Sequence, residues 1–206
     1  MSFTGFPDAA FDFFAAVASD TSWEAVEARR ELHEKAVRAP MAALTDELAA
    51  EFGAAKVYNL HRSRDLWTTQ YAYVSLADTI VLGVSLSLDG LAVEGGWLYS
   101  SSDQVDRYRS AVAGPAGGGL AESVAALREG GYELIGVTLR SGPPGFRIDH
   151  PRAELLRHRS LVATRSLGRE PWLRTAEAVE RVRGEWRRLR PLVGWLAEHV
   201  GPRDGR

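Results

Sequence analysis

Cysteine is absent from the 206-residue chain, which excludes disulfides, thiolate-bound metals and cysteine nucleophiles. A chain of this length buries a sizeable core without such supports. Lysine is nearly absent too: Lys35 and Lys56 are the only two, so positive charge means arginine. No apolar run approaches the roughly 20 residues a membrane-spanning helix needs, and the most apolar stretch, 79–88, carries serines at alternate positions as a strand does. Residues 1–14 have no basic residue ahead of their apolar positions and are interrupted by Asp8 and Asp12, so no secretory signal is expected. These absences point to a cytoplasmic protein with no membrane partner.

Familiar catalytic patterns are missing as well. There is no H-E-x-x-H, no G-x-x-x-x-G-K-[ST] and no G-x-S-x-G, and the glycine-rich stretch 114–119 lacks the lysine of a phosphate loop. The five histidines, His33, His61, His150, His158 and His199, show no close pairing at ligand spacing. Neither a metal nor a cofactor is expected.

Charge is present but uneven. The net charge is −2, yet from residue 140 onward 15 arginines face 8 acidic residues, while 10 basic residues face 19 acidic ones before it. That asymmetry fits an anion-binding or nucleic-acid-binding C-terminal part. It equally fits two halves that face each other, or an arginine-rich composition of the kind a GC-rich genome produces.

Apolar spacing outlines the elements. Phe11, Phe14 and Val17 share a helical face after Pro7-Asp8, Ser22 precedes a second helix carrying Trp23, Val26, Leu32 and Val37, and Pro40 opens a third that Gly53 ends. From Lys56 the runs become short and β-rich, at 56–60, 70–76, 79–88 and 91–98, with Asp89-Gly90 as a hairpin turn chosen for positive φ. Ser101-Ser102 caps a helix over 103–112, residues 114–119 read as a flexible connection, and a helix over 120–127 stops at Gly130-Gly131. Strands follow at 132–140 and 161–166, separated by a short helix over 152–158. A long helix over 175–190 continues past Pro191, with a kink, to His199. The order predicts an α+β fold in one domain over 1–206: a central, mainly antiparallel sheet covered by helices, with a helical N-terminal part and a long C-terminal helix.

The stretch 142–159 concentrates the chemistry. Gly142-Pro143-Pro144-Gly145 sets a rigid turn, Asp149-His150-Pro151 opens a helix with Asp149 as its cap, and arginines follow at helical spacing. Arg152 and Arg159 form a cationic stripe opposite Leu155 and Leu156, while Asp149 and His150 are an acid/base pair only if they face each other. Arg62 and Arg64, beside Asp65, can hold a phosphate or carboxylate in bidentate fashion, and Arg107 flanks Tyr108 near Trp97 and Tyr99.

Several stretches resemble a bacterial conserved-hypothetical family, domain of unknown function 2461. They are Phe3-Thr4-Gly5-Phe6-Pro7, Ser87-Leu88-Asp89-Gly90-Leu91, Gly95-Gly96-Trp97, Pro143-Pro144-Gly145-Phe146-Arg147-Ile148-Asp149-His150-Pro151-Arg152 and Trp195-Leu196-Ala197-Glu198-His199. The resemblance implies no reaction and transfers no catalytic residue. A charged segment of the form R-D-x-R-F-S-x-D-K-x-P-Y is replaced here by Arg62-Ser63-Arg64-Asp65-Leu66-Trp67-Thr68-Thr69-Gln70-Tyr71, without the Asp-Lys pair or the proline. The functional expectation is an anionic small molecule held in a cleft lined by Arg62, Arg64, Arg107, Arg147 and His150. The alternative is a non-catalytic module whose basic C-terminal half meets a protein or nucleic acid.

Overall fold

The computed structural model describes residues 2–60, 67–147 and 149–203. Its N-terminal part is helical. Helix α1 (Asp8–Ser19) follows Pro7 and buries Ala10, Phe11, Phe13, Phe14 and Val17, one aromatic more than the expected stripe. Ser22 caps α2 (Trp23–Glu27) by accepting the Ala25 N–H at 3.2 Å.

The second and third expected helices are divided differently from the sequence reading. The chain breaks after α2, and α3 (Arg30–His33) then runs through a π-helical turn, Glu34–Arg38, directly into α4 (Ala39–Asp46). Pro40 sits inside this run rather than opening a helix. Its ring lacks an N–H and would press on the carbonyl four residues back, at Ala36, so widening the preceding turn relieves the conflict. The Ala39 N–H accordingly reaches back five residues to the Glu34 carbonyl. Helix α5 (Ala49–Phe52) ends at Gly53.

Six strands make one antiparallel sheet in the order β1-β2-β3-β4-β6-β5. They are β1 (Lys56–Val57), β2 (Thr69–Ala77), β3 (Ile80–Ser87), β4 (Gly90–Trp97), β5 (Glu133–Ile135) and β6 (Leu161–Gly168). Strand β2 alternates, with Gln70, Ala72 and Val74 buried, whereas β3 is buried continuously from Ile80 to Val84, as a central strand covered on both faces must be. The β3–β4 hairpin forms where expected but not as expected. Leu88 and Asp89 are the turn residues, Asp89 keeps negative φ, and Gly90 alone takes the positive value, 109°. That is the three-residue pattern with glycine in the bulge position, not a two-residue turn.

Helix α6 (Ser102–Ala113) starts as predicted, with Gln104 accepting the Ser101 N–H at 3.2 Å. Helix α7 (Gly117–Glu129) begins three residues earlier than expected, so part of the supposed flexible connection is its first turn. The predicted strand 132–140 stops at Ile135: Gly136 has φ 141°, and a Cβ there would lie 2.2 Å from the Ser160 carbonyl. The chain then rejoins the sheet only through a bridge between Thr138 and His158. Helix α8 (Ala153–Leu156) and the 3₁₀ turn Pro171–Arg174 precede α9 (Glu177–His199), which continues through Pro191 as one helix. Gly95 on β4 lets α9 come close, since a Cβ would sit 3.1 Å from Val193 and 3.2 Å from Leu189.

The residues group into two compact units. One comprises the N-terminal part through Val74, Gly83–Val93 and Ser166–Glu185. The other comprises Ser75–Leu82, Glu94–Arg165 and the chain from Trp186 on. No helix among the described residues is long and apolar enough to cross a membrane.

Candidate functional site

The second unit contains the chemistry-bearing stretch. Pro143 is buried beneath its turn, and the Phe146 N–H closes the turn on the Pro143 carbonyl at 3.4 Å. Asp149 does not cap the following helix. It is exposed and takes Arg147 in a two-pronged ion pair at 2.9 and 2.7 Å, which holds the Asp149 carboxyl below its ordinary range. His150 instead closes the turn that leads into the helix, its Nδ1 accepting the Arg152 N–H at 3.0 Å and its carbonyl the Ala153 N–H at 2.9 Å, and the helix itself has no side-chain cap. Asp149 is taken up by Arg147 and His150 Nδ1 by the Arg152 N–H, so no hydrogen bond joins the two as an acid/base pair among the described residues.

Helix α8 is short, so its stability comes from what receives its ends. Leu155 and Leu156 are buried, Tyr108 Oη donates to the Leu155 carbonyl at 2.9 Å, and Arg109 Nε donates to that of Leu156 at 3.3 Å. Arg152 turns inward rather than forming a solvated stripe. Its guanidinium donates to the Val112, Ala113 and Gly114 carbonyls at 2.6, 3.1 and 2.9 Å, closing the C-terminus of α6. Arg157 likewise clamps the Leu139 and Arg140 carbonyls, each at 2.8 Å. Glu154 pairs with Arg128 of α7, whose hydrogen bond keeps the Glu154 carboxyl below its usual range.

These clamps leave space around Glu154. A cavity of about 310 Å³ lies under the Pro-Pro-Gly turn, bounded by Arg140, Arg147 and Arg157 and floored by Pro143, Phe146 and Leu156. A second, of about 250 Å³, shares Glu154 and Arg157 and adds Arg128, Thr138 and His158. Arg140 is exposed and has no side-chain partner among the described residues. With Arg147 paired to Asp149 and Glu154 paired to Arg128, Arg140 and Arg157 leave the first cavity cationic, while its floor is apolar.

Of the residues expected to form the cleft, Arg147 lines this cavity and His150 shares its turn without lining it. Arg107 is engaged elsewhere, donating from Nε to the Val200 carbonyl at 2.7 Å and pairing with Asp103 at 3.2 Å, which fastens α6 to the end of α9. Arg62 and Arg64 lie outside the described residues. Sequence reasoning missed Arg140, Glu154, Arg157 and His158 as a group. Arg157 and His158 stood in the stretch already singled out, but attention went to Arg152 and Arg159 as the cationic stripe of a helix expected over 152–158. The helix ends at Leu156, and both then turn toward the segment 138–140. Among the described residues no cluster of three or more His, Asp or Glu is placed to hold a metal.

No curated protein and no solved structure matches the chain. A family model described as a conserved hypothetical protein matches residues 80–195, which include both cavities and every arginine that bounds them. With more than half its length matched, the chain belongs to the DUF2461 family.

Proposed function

We propose that the protein binds a small anion with an apolar body in the cavity beneath the Pro-Pro-Gly turn. The observation that carries this reading is the convergence of Arg140, Arg147 and Arg157 on a cavity of about 310 Å³ whose floor is Pro143, Phe146 and Leu156. Guanidiniums suit carboxylate and phosphate oxygens because their donors lie in a planar fork. Arg157 is pre-organised, since two carbonyls already fix its plane and the Nη1 donors have no partner among the described residues. Arg147 is held by Asp149 on a turn that two prolines stiffen, so ordering costs on binding are small.

The test is a thermal-shift and calorimetric panel of inorganic phosphate, phenyl phosphate, acetate and 4-methylpentanoate, with 4-methylpentan-1-ol as the uncharged control. At least one anion with an apolar body is expected to bind at millimolar concentration or tighter and to raise the melting temperature, while the alcohol does not. Arg140→Ser, at a side chain with no structural partner among the described residues, is expected to weaken binding about tenfold at unchanged stability. A panel without any stabilising anion removes the reading.

A further inference from the structure

We propose that the second cavity is a subsite in which His158 accepts a hydrogen bond from a hydroxyl on the bound anion, so that the ligand class is a hydroxycarboxylate. This rests on the anion site proposed above. His158 Nδ1 lies 3.0 Å from the Ser160 carbonyl oxygen. A carbonyl only accepts, so the proton of the neutral ring is on Nδ1 and Nε2 carries the lone pair. Nε2 has no partner among the described residues, although the ring lines the cavity of about 250 Å³ and the residue is only 6 % exposed. It is a fixed acceptor in a polar cavity whose one carboxylate, Glu154, is already taken by Arg128.

The charged groups around the ring are Glu154 from α8, Arg128 from α7 and the neighbouring Arg157. The Ser160 carbonyl and Glu154 favour the protonated ring, while Arg128 and Arg157 oppose it. Burial is the largest influence and acts with the arginines, pushing the imidazole below its ordinary range. The ring is therefore neutral at pH 7, and a neutral acceptor beside arginines selects an anion that also bears an O–H. Arg157 and Glu154 line both cavities, so the two spaces adjoin, and the proposed ligand sets its carboxylate against Arg157 and its hydroxyl toward His158.

Calorimetry at pH 7 on the full chain would compare 2-hydroxy-4-methylpentanoate, 4-methylpentanoate and 2-methoxy-4-methylpentanoate. The hydroxy acid is expected to bind about tenfold tighter than the other two, the value of one hydrogen bond to a buried acceptor. His158→Asn keeps an amide donor toward Ser160 and deletes the Nε2 acceptor, so the preference should fall to within about twofold, while His158→Gln, which puts an amide oxygen near Nε2, restores part of it. Equal affinity for the three acids in the native chain overturns the inference without any variant, and so does a preference that survives in His158→Asn. If none of the three acids binds but phenyl phosphate does, the hydroxycarboxylate assignment fails and the anion site stands. If no anion binds, both fall.

Discussion

Several arginines in this chain work as clamps on distant backbone carbonyls. Arg107, Arg109, Arg152, Arg157 and Arg183 each donate to one or more of them, and the residues they reach are 17 to 136 positions away. Such partners are set by which helix end happens to pass nearby, so no local pattern in the sequence announces them. Histidine shows the same dependence on context. His33 occupies an ordinary helical position, yet it is 4 % exposed, bonds to Gln70 and packs on Phe13 at 5.1 Å between ring centres. Burial brings its pKa down to about 4. A folded value below the unfolded one means the unfolded chain binds the proton first, so this contribution is fully present above pH 6.5 and is lost as pH falls toward 4. Between pH 7 and pH 5 the loss is about 2 kcal/mol by linkage. Urea unfolding at these two pH values is expected to show a fall of that order in the native chain, much reduced in His33→Gln. An equal fall in the variant would assign the pH dependence elsewhere.

Helices and strands with strong local signals were readable from the sequence. The capped start of α6, the apolar face of α9 and the alternation of β2 follow from side-chain period and caps that lie within the element itself. The departures each have a non-local or steric cause: Pro40 drives a π turn four residues upstream, and Gly136 ends β5 because the Ser160 backbone lies against it. Glycine inside helices separates the two situations cleanly. A Cβ at Gly184, on the exposed side of α9, meets nothing within 4 Å, whereas one at Gly117, in the first turn of α7, would lie 2.0 Å from the Val112 carbonyl and 2.7 Å from Arg152 Nε. Gly184→Ala should therefore stabilise the protein by about 0.5–1 kcal/mol through helix propensity. Gly117→Ala should destabilise it, by about 2 kcal/mol or more, because the Arg152 clamp on the end of α6 must shift. Denaturant midpoints of the two variants measure both signs, and a stabilising Gly117→Ala would mean that the clamp is loose.

At the scale of the molecule, the charge asymmetry read along the chain is diluted by the way the fold distributes the chain. The counts of +7 and −9 on either side of residue 140 become +3 and −5 when the same residues are counted by compact unit, because the net-acidic stretches 75–82 and 94–139 join the arginine-rich C-terminal part, while 166–185, which moves the other way, carries no net charge. The site was half legible for a related reason: the Pro-Pro-Gly turn and Arg147 are local, but the walls supplied by Arg140 and Arg157 depend on where the chain goes after α8. Residues of β2, β3, β4, β6 and α9 fall in both units, so neither unit is a continuous stretch that completes its own strands. A strand cut at Val74, Leu82 or Val93 leaves backbone donors and acceptors unpaired, at a cost of about 1–3 kcal/mol for each buried group. The expected consequence is unfolding as one cooperative step. Far-ultraviolet circular dichroism and tryptophan fluorescence should then give coincident urea transitions, with Trp172 in one unit and Trp97, Trp186 and Trp195 in the other reporting the same midpoint in single-tryptophan variants. Two separated midpoints, divided between Trp172 and the other three, would show that the units melt independently despite the strands that run through both.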